Sequence, residues 1–330
     1  MLVLSPCVTD ALAVFSCVVA AARRYGFDLH AVKLYLARRV TFLGVEIDMV
    51  AGTLTLPPSK LSEVTERLQA ALEAPTWSRL TVERILGSLV HASRVLPHSR
   101  AFLGRLIAVL RSGPARSRTS PFPPPEPARQ DLRMWVDMLR AWSGTSLLRV
   151  RAPGAKASLS FHCDAFGGSA SNDFAGVGIL CLESGEYSSQ PFTGEQRRVA
   201  HVRKSYNTCL LEFAAFPWIL STFADRVRGR VVRVFCDNDG AVDVAARGFH
   251  SADAHGGLSR LLAVLTVQLD CFVIYTRIAS QDNLADQLSR GRPDLFLQQA
   301  RAAGLSTALS AVQCPSPSAA ACESVQCSFY

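Results

Sequence analysis

Residues 231–240 read VVRVFCDNDG, and this stretch constrains the fold more than any other. Five of its first six side chains are apolar and three of those are β-branched valines, the pattern of a buried strand. The run then meets two aspartates flanking an asparagine, Asp237, Asn238 and Asp239. In open α/β sheets ligands bind beyond the carboxyl ends of the strands. A buried strand that delivers a carboxylate at that point therefore looks built around a site.

The surrounding segments fit such a sheet. Residues 158–164 alternate as a strand, 176–182 and 187–192 make two more, and 205–224 read as a helix bent at Pro217. After the 231–236 strand come a short helix over 239–247 ended by Gly248, a helix over 257–269, a strand over 271–278 and a last helix over 283–290. The order βββ-α-β-α-α-β-α predicts an α/β fold, a mixed sheet with helices on its faces.

Four acids stand at telling places. Asp164 is read as the last residue of its strand and Asp237 follows another. Glu212 is a single carboxylate inside the apolar helix CLLEFAAF, and Asp286 lies in NLADQLSR beside Leu284 and Leu288. Each alone has an ordinary reading as a cap, a turn residue or a surface charge. Brought together they repel unless cations neutralise them. Mg²⁺ takes octahedral oxygen ligands, and two such ions can bridge a phosphodiester.

SFHCDAF, LLEFAAF, FCDNDGAV and NLADQLSRGRPD resemble, in order, the four acidic motifs of the type I ribonuclease H domain, in the form carried by retroelements. The resemblance covers residues 156–292. It implies a ribonuclease H-like mixed sheet with flanking helices, with Asp164, Glu212, Asp237 and Asp286 as the metal ligands. It also implies two Mg²⁺ ions (Mn²⁺ being an alternative) and hydrolysis of the RNA strand of an RNA/DNA hybrid. Asp239 and Asp282 fall just outside the matched positions. The family often uses a histidine near the final acid; His250 and His255 lie in the corresponding loop, where an ordinary loop histidine is the favoured reading.

The first half is a different kind of sequence. A strand is expected over 40–48, and helices over 11–25, 61–72, from about Thr81, over 99–110 and over 128–142. FLGVEID resembles the end of a reverse transcriptase palm, and VERILGSLVHASRVLPHSRAFLGRL its thumb and connection. The combination is similar to the polyprotein of DIRS-type, tyrosine-recombinase retrotransposons. Lys33 matches the palm's late lysine and Phe42–Gly44 the primer-grip turn. In that family the polymerase aspartate pair precedes the segment resembling MLVLSP, so no polymerase activity is expected of this sequence. Glu46 and Asp48 are the one other acidic pair on a strand, and the polar face of a half-buried strand accounts for them.

The domains so read are a mostly helical palm-end, thumb and connection segment over 1–112, a Pro-rich linker and helix over 113–155, the α/β domain over 156–292, and a disordered tail over 293–330. Charge follows this division. Residues 1–150 hold 19 Lys+Arg against 11 Asp+Glu, and residues 151–330 hold 16 against 16, so the whole formal excess of +8 lies in the first half. A basic half suggests a nucleic-acid partner. Arg67, Arg79, Arg84, Arg94, Arg100 and Arg105 are the arginines its helices would offer to phosphates. A helical bundle with a solvated basic face is the plainer reading.

The ten cysteines show no zinc spacing; Cys7, Cys17, Cys163, Cys181, Cys209, Cys236 and Cys271, each alone in an apolar segment, read as reduced core thiols of an intracellular protein, of cytoplasm or nucleus, and the three in the tail form no recognisable pattern. The opening segment lacks the basic n-region of a secretory leader, and Pro6 and Asp10 interrupt its apolar run. No membrane span is expected. Two functions compete: a hybrid-specific nuclease, and a catalytically inactive nucleic-acid-binding relic of a retroelement. The presence of all four acids favours the first.

Overall fold

The structure is a computed structural model that describes every residue except 1–6, 31–33, 35, 113–116, 148–157, 203–204, 249–252, 306–308, 314–316 and 318–330. Lys33, His250 and Cys314, Cys322 and Cys327 lie outside the described residues.

The chain opens with helix α1 (Val8–Arg24), none of whose residues is buried. The expected strand over 40–48 is instead a hairpin, β1 (Arg39–Phe42) and β2 (Val45–Asp48). Leu43 and Gly44 turn it with φ of 50° and 76°. Two consecutive positive φ values give the turn twist that suits antiparallel strands. An apolar leucine in the first turn position hid the break. His91 Nε2 lies 2.8 Å from the Leu43 carbonyl and steadies it. Strands β3 (Thr53–Thr55) and β4 (Thr145–Leu147) complete a small sheet in the order β1-β2-β3-β4.

Helices α2 (Pro58–Glu73), α3 (Arg79–Ala92), α4 (Gly104–Ser112) and α5 (Glu126–Ala141) form a bundle. Helix α3 starts earlier than expected because Ser78 caps it. The Ser78 hydroxyl accepts the Thr81 N–H, and Thr81 Oγ1 answers the Ser78 N–H. Within the segment 113–155, the described residues 117–147 pack on the bundle instead of standing as a linker. Its Pro-rich part pairs Phe122 with Trp77 through two backbone hydrogen bonds of 2.7 and 2.8 Å. Helix α5 then buries Leu132, Trp135 and Leu139, and β4 joins the N-terminal sheet. The apolar stripe of α5 recurs at helical spacing and needs a partner face, which α2 and α4 supply.

The second half contains β5 (Leu159–Phe166), β6 (Gly176–Cys181), β7 (Glu186–Pro191), α6 (Gly194–Ala200) and a small hairpin, β8 (His201–Val202) with β9 (Ser205–Tyr206). Then come α7 (Thr208–Thr222), α8 (Ala224–Val227), β10 (Val231–Cys236), α9 (Asp239–Arg247), α10 (Asp253–Gln268) and β11 (Phe272–Arg277). Helices α11 (Asp286–Ser289) and α12 (Pro293–Ala302) and strand β12 (Ser310–Ala311) follow. The sheet runs β11-β10-β5-β6-β7-β12. Strands β5, β6 and β7 are an antiparallel meander, and β10 and β11 add in parallel beside β5. The expected mixed α/β sheet with flanking helices is present. Helix α7 begins at Thr208 rather than 205, because the Asn207 side chain accepts the Leu210 N–H and caps it there.

The start of the expected disordered tail, Pro293–Ala302, is instead a helix. Helix α12 buries Phe296 and Ala300 completely, and β12 pairs with β7. Strand β6 is buried along its whole length, so its second face needs a cover. Leu180, Leu288, Phe296 and Ala300 make that second core. The main core runs without a break from Val45 in β2 to Val273 in β11, so the expected boundaries do not separate independent hydrophobic cores. The joint lies where α10 and β11 meet the 3₁₀ turn Pro97–Phe102, with the His98 ring edge-on to Tyr275 at 6.0 Å.

Candidate active site

Alternation along β5 assigns its faces. Phe161 packs on Phe223 on the α7 side. His162, Asp164 and Phe166 point the other way, towards the segment around α11. The Leu284 N–H donates to His162 Nδ1 at 3.3 Å, the Ser289 hydroxyl donates to Asp164 Oδ2, and the Arg290 guanidinium lies 4.6 Å from the Phe166 ring centre. Strand β10 runs parallel to β5 with Phe235 level with His162. Two residues further on, Asp237 and Asp164 stand side by side at the carboxyl end of β10. Asp164 is not the last residue of its strand, since β5 continues to Phe166.

Glu212 reaches the same place from the opposite face. It is the one charged residue of α7, a helix buried from Leu210 to Leu220. Its carboxylate is held from both sides: Cys236 Sγ donates to Oε2 at 3.1 Å and Asn238 Nδ2 to Oε1 at 3.2 Å. Glu212, Cys236 and Asp237 offer ligand atoms within 4.8 Å of one another. Asp286 stands at the start of a four-residue helix rather than inside a longer one. Its carboxylate takes the Arg290 guanidinium at 2.9 Å and the Gln287 amide at 2.9 Å.

Of the four acids only Asp286 has an ion pair among the described residues, with Arg290. Burial, then repulsion from Asp237 and Asp286, pushes Asp164 up to about 7, although the Ser289 hydrogen bond and Arg290 act against it. Burial, then repulsion from Asp164 and Asp237, pushes Glu212 up to about 8 against the help of Cys236 and Asn238. Asp164 thus feels Asp237 and Asp286, and Glu212 feels Asp164 and Asp237. Oxygen donors short of positive charge suit a hard divalent cation. Cys236 is a buried thiol held protonated by its surroundings.

No protein-family model and no curated protein matches this chain. A structural likeness exists to the N-terminal RNase H domain of a Mycobacterium tuberculosis protein, solved as a fusion with maltose-binding protein. It covers 44% of this chain and 99% of that one, at 14% identity and a TM-score of 0.28.

Nothing in the sequence by itself marks Asn283, Ser289 or Arg290, although all three stand in NLADQLSRG. They hold the acids rather than add to them. A hydroxyl and an amide at odd offsets from an acid carry no charge pattern to read, and only the tertiary contacts expose them. Of the two histidines considered, His255 is buried on α10 and stacks on Phe213 at 6.3 Å.

In the first half, three of the six arginines offered to phosphates are committed within the protein. Arg67 pairs with Glu63, Arg79 with Glu83 and Arg105 with Asp131. Arg84, Arg94 and Arg100 are exposed and have no ion pair among the described residues. Asp48 is used structurally: it pairs with Arg39 at 2.5 Å and accepts the Val50 and Ala51 N–H groups. Glu46 is exposed on the same strand. No described helix is long and apolar enough to cross a membrane.

Proposed function

We propose that this chain is a divalent-metal-dependent ribonuclease that hydrolyses the RNA strand of RNA/DNA hybrids, and that it derives from a retroelement polyprotein of the DIRS type. The observation that supports the activity is that Glu212 and Asp237 offer carboxylate oxygens within 4.8 Å of each other just past β10, beside the β5 strand that carries Asp164, while the Ser289 hydroxyl joins Asp164 to the Asp286 carbonyl. The retroelement descent is supported by the order and spelling of the four acidic motifs and by the palm-like and thumb-like segments before them.

Asp164, Glu212, Asp237 and Asp286 would hold Mg²⁺ or Mn²⁺. When bound, such ions supply charge to activate a water and to stabilise the leaving oxygen of a phosphodiester. The protein's own part is to hold the carboxylates in place. Ser289 orients Asp164, Cys236 and Asn238 orient Glu212, and Arg290 orients Asp286. Asp237 is half-buried and the least encumbered of the four. Arg84, Arg94 and Arg100 would meet the phosphates of a duplex lying over the bundle, and duplex shape with 2′-hydroxyl contacts would select the hybrid.

The test is cleavage of a labelled RNA/DNA hybrid by the purified full chain, with RNA/RNA and DNA/DNA duplexes of the same sequence beside it. Hybrid-specific cleavage that needs Mg²⁺ or Mn²⁺ and stops with a chelator is expected. Binding without cleavage under any divalent ion would favour the inactive relic.

A further inference from the structure

One neutral side chain, that of Asn283, joins the segments that carry three of the four acids. Asn283 precedes α11 and is 4% exposed. Its Nδ2 donates to the carbonyl of Cys163 at 2.9 Å, in β5, one residue before Asp164. The same nitrogen lies 3.4 Å from Asp237 Oδ1, just past β10. Its Oδ1 accepts the Ala285 N–H at 3.2 Å, and its carbonyl accepts the Asp286 N–H at 3.1 Å. The orientation of the amide is unambiguous, because a backbone carbonyl must face the nitrogen and a backbone N–H the oxygen.

We infer that Asn283 is the positioning residue that sets the spacing of Asp164, Asp237 and Asp286. This rests on the proposed metal-dependent activity. Strand β5, the end of β10 and the start of α11 come from distant parts of the sequence, and this amide bonds to all three. The carboxylates repel one another when no metal ion is present, so their arrangement before one arrives depends on the donors that the protein supplies. The 2.9 Å bond to Cys163 ties the turn to the strand interior, where water does not compete. The longer approach to Asp237 leaves that carboxylate its second oxygen. Replacing the amide by a carboxylate would set an oxygen against both the Cys163 carbonyl and Asp237. A serine would keep an acceptor for the Ala285 N–H but is too short to reach the strands.

The experiment uses the full chain and its Asn283→Asp and Asn283→Ser variants. Mg²⁺ binding is measured by calorimetry without nucleic acid, together with the Mg²⁺ dependence of hybrid cleavage. Loss of a group that holds a metal ligand weakens metal affinity by about 10–100-fold. Both variants are therefore expected to bind Mg²⁺ at least about tenfold more weakly. In cleavage, kcat should fall at fixed Mg²⁺ and recover in part at high Mg²⁺, while KM for the hybrid stays put. Asn283→Ser keeps the turn, so it separates a tie between strands from a local turn. Variants that bind Mg²⁺ as the parent does, beside a parent that binds and cleaves, would overturn this inference and leave the functional reading standing. A parent that binds no Mg²⁺ would overturn the functional reading, and this inference with it.

Discussion

Asp164 faces Gly178 directly across the β5–β6 ladder, and the missing side chain of that glycine is what lets α11 lie against the sheet beside the carboxylate. A Cβ at Gly178 would stand 2.5 Å from the Ala285 carbonyl oxygen, 2.6 Å from the Ser289 nitrogen and 2.7 Å from Leu288 Cβ. Two of these are backbone atoms, so the helix itself must move. Gly178→Ala is expected to cost about 1–3 kcal/mol and to draw the Ser289 hydroxyl away from Asp164. Urea melts and the cleavage rate of the folded fraction check both effects. A parental midpoint with a parental rate would show that α11 can slide without consequence.

Asp237→Asn keeps the shape of its side chain and removes the charge. Cleavage should fall beyond the roughly 100-fold that marks the loss of a merely supporting group, with the fold intact. Millimolar Mg²⁺ should raise the Tm of the parent through binding to the native state and raise that of the variant less. Near-normal cleavage by Asp237→Asn would sink the ligand assignment.

Charge in the first half should show itself in salt dependence. Replacing Arg84, Arg94 and Arg100 together by Gln should weaken hybrid binding and flatten the plot of log affinity against log salt. The slope should change by about one for each phosphate deprived of its arginine. Arg67→Gln and Arg79→Gln should change the slope less, because those side chains are paired with Glu63 and Glu83. Equal slopes for the triple variant and the parent would mean that these three arginines do not touch nucleic acid.

Asp131 gives a pH dependence of stability independent of the candidate site. It is 1% exposed on α5 and paired with Arg105 at 3.2 Å. Burial nevertheless outweighs the attraction of Arg105 and Arg260 and pushes it up to about 7. A carboxyl raised in the folded state binds its proton more tightly there than in the unfolded chain. Its contribution is therefore greatest below about pH 4, where the unfolded carboxyl also keeps its proton, and is lost as pH rises to about 7. The loss amounts to a few kcal/mol at most, at about 1.4 kcal/mol per pH unit. Asp131→Asn removes this slope. Thermal melts at several pH values should show the variant gaining on the parent as pH rises from about 4 to about 7, and parallel curves would refute it.

A fragment limited to residues 156–292 should fold poorly. It lacks α12, whose Phe296 covers Leu180 and packs tilted against the Tyr187 ring at 4.8 Å, and it uncovers the face of α10 that meets the bundle. Dye binding to exposed apolar surface and a broad melt are expected, against a sharp melt for the full chain. A sharp melt for the fragment would show that the shared core is dispensable.

Much of the α/β half was legible in the sequence because its strands and helices announce themselves locally. VVRVFC has the β-branched run of a buried strand, and DGAVDVAAR ends on a glycine at φ 67°. The four acids were also visible, since a carboxylate in an apolar helix or at a strand end conflicts with its surroundings. Hydrophobic periodicity could not report what depends on the meeting of distant segments. The 40–48 stretch alternates like one strand, yet positive φ at Leu43 and Gly44 folds it into a hairpin. The 113–155 stretch has the composition of a linker, yet Trp77 and the bundle give its helix a partner. The stretch from 293 was expected to be disordered, yet a face of β6 gives Phe296 and Ala300 of α12 a core to join. Ser289 and Asn283 acquire their meaning from Asp164, Cys163 and Asp237, more than 40 residues away in each case. Residue type and local spacing determined which side chains could do chemistry. Tertiary structure decided which of them stand together, because burial and mutual repulsion act only on groups that the fold has already made neighbours.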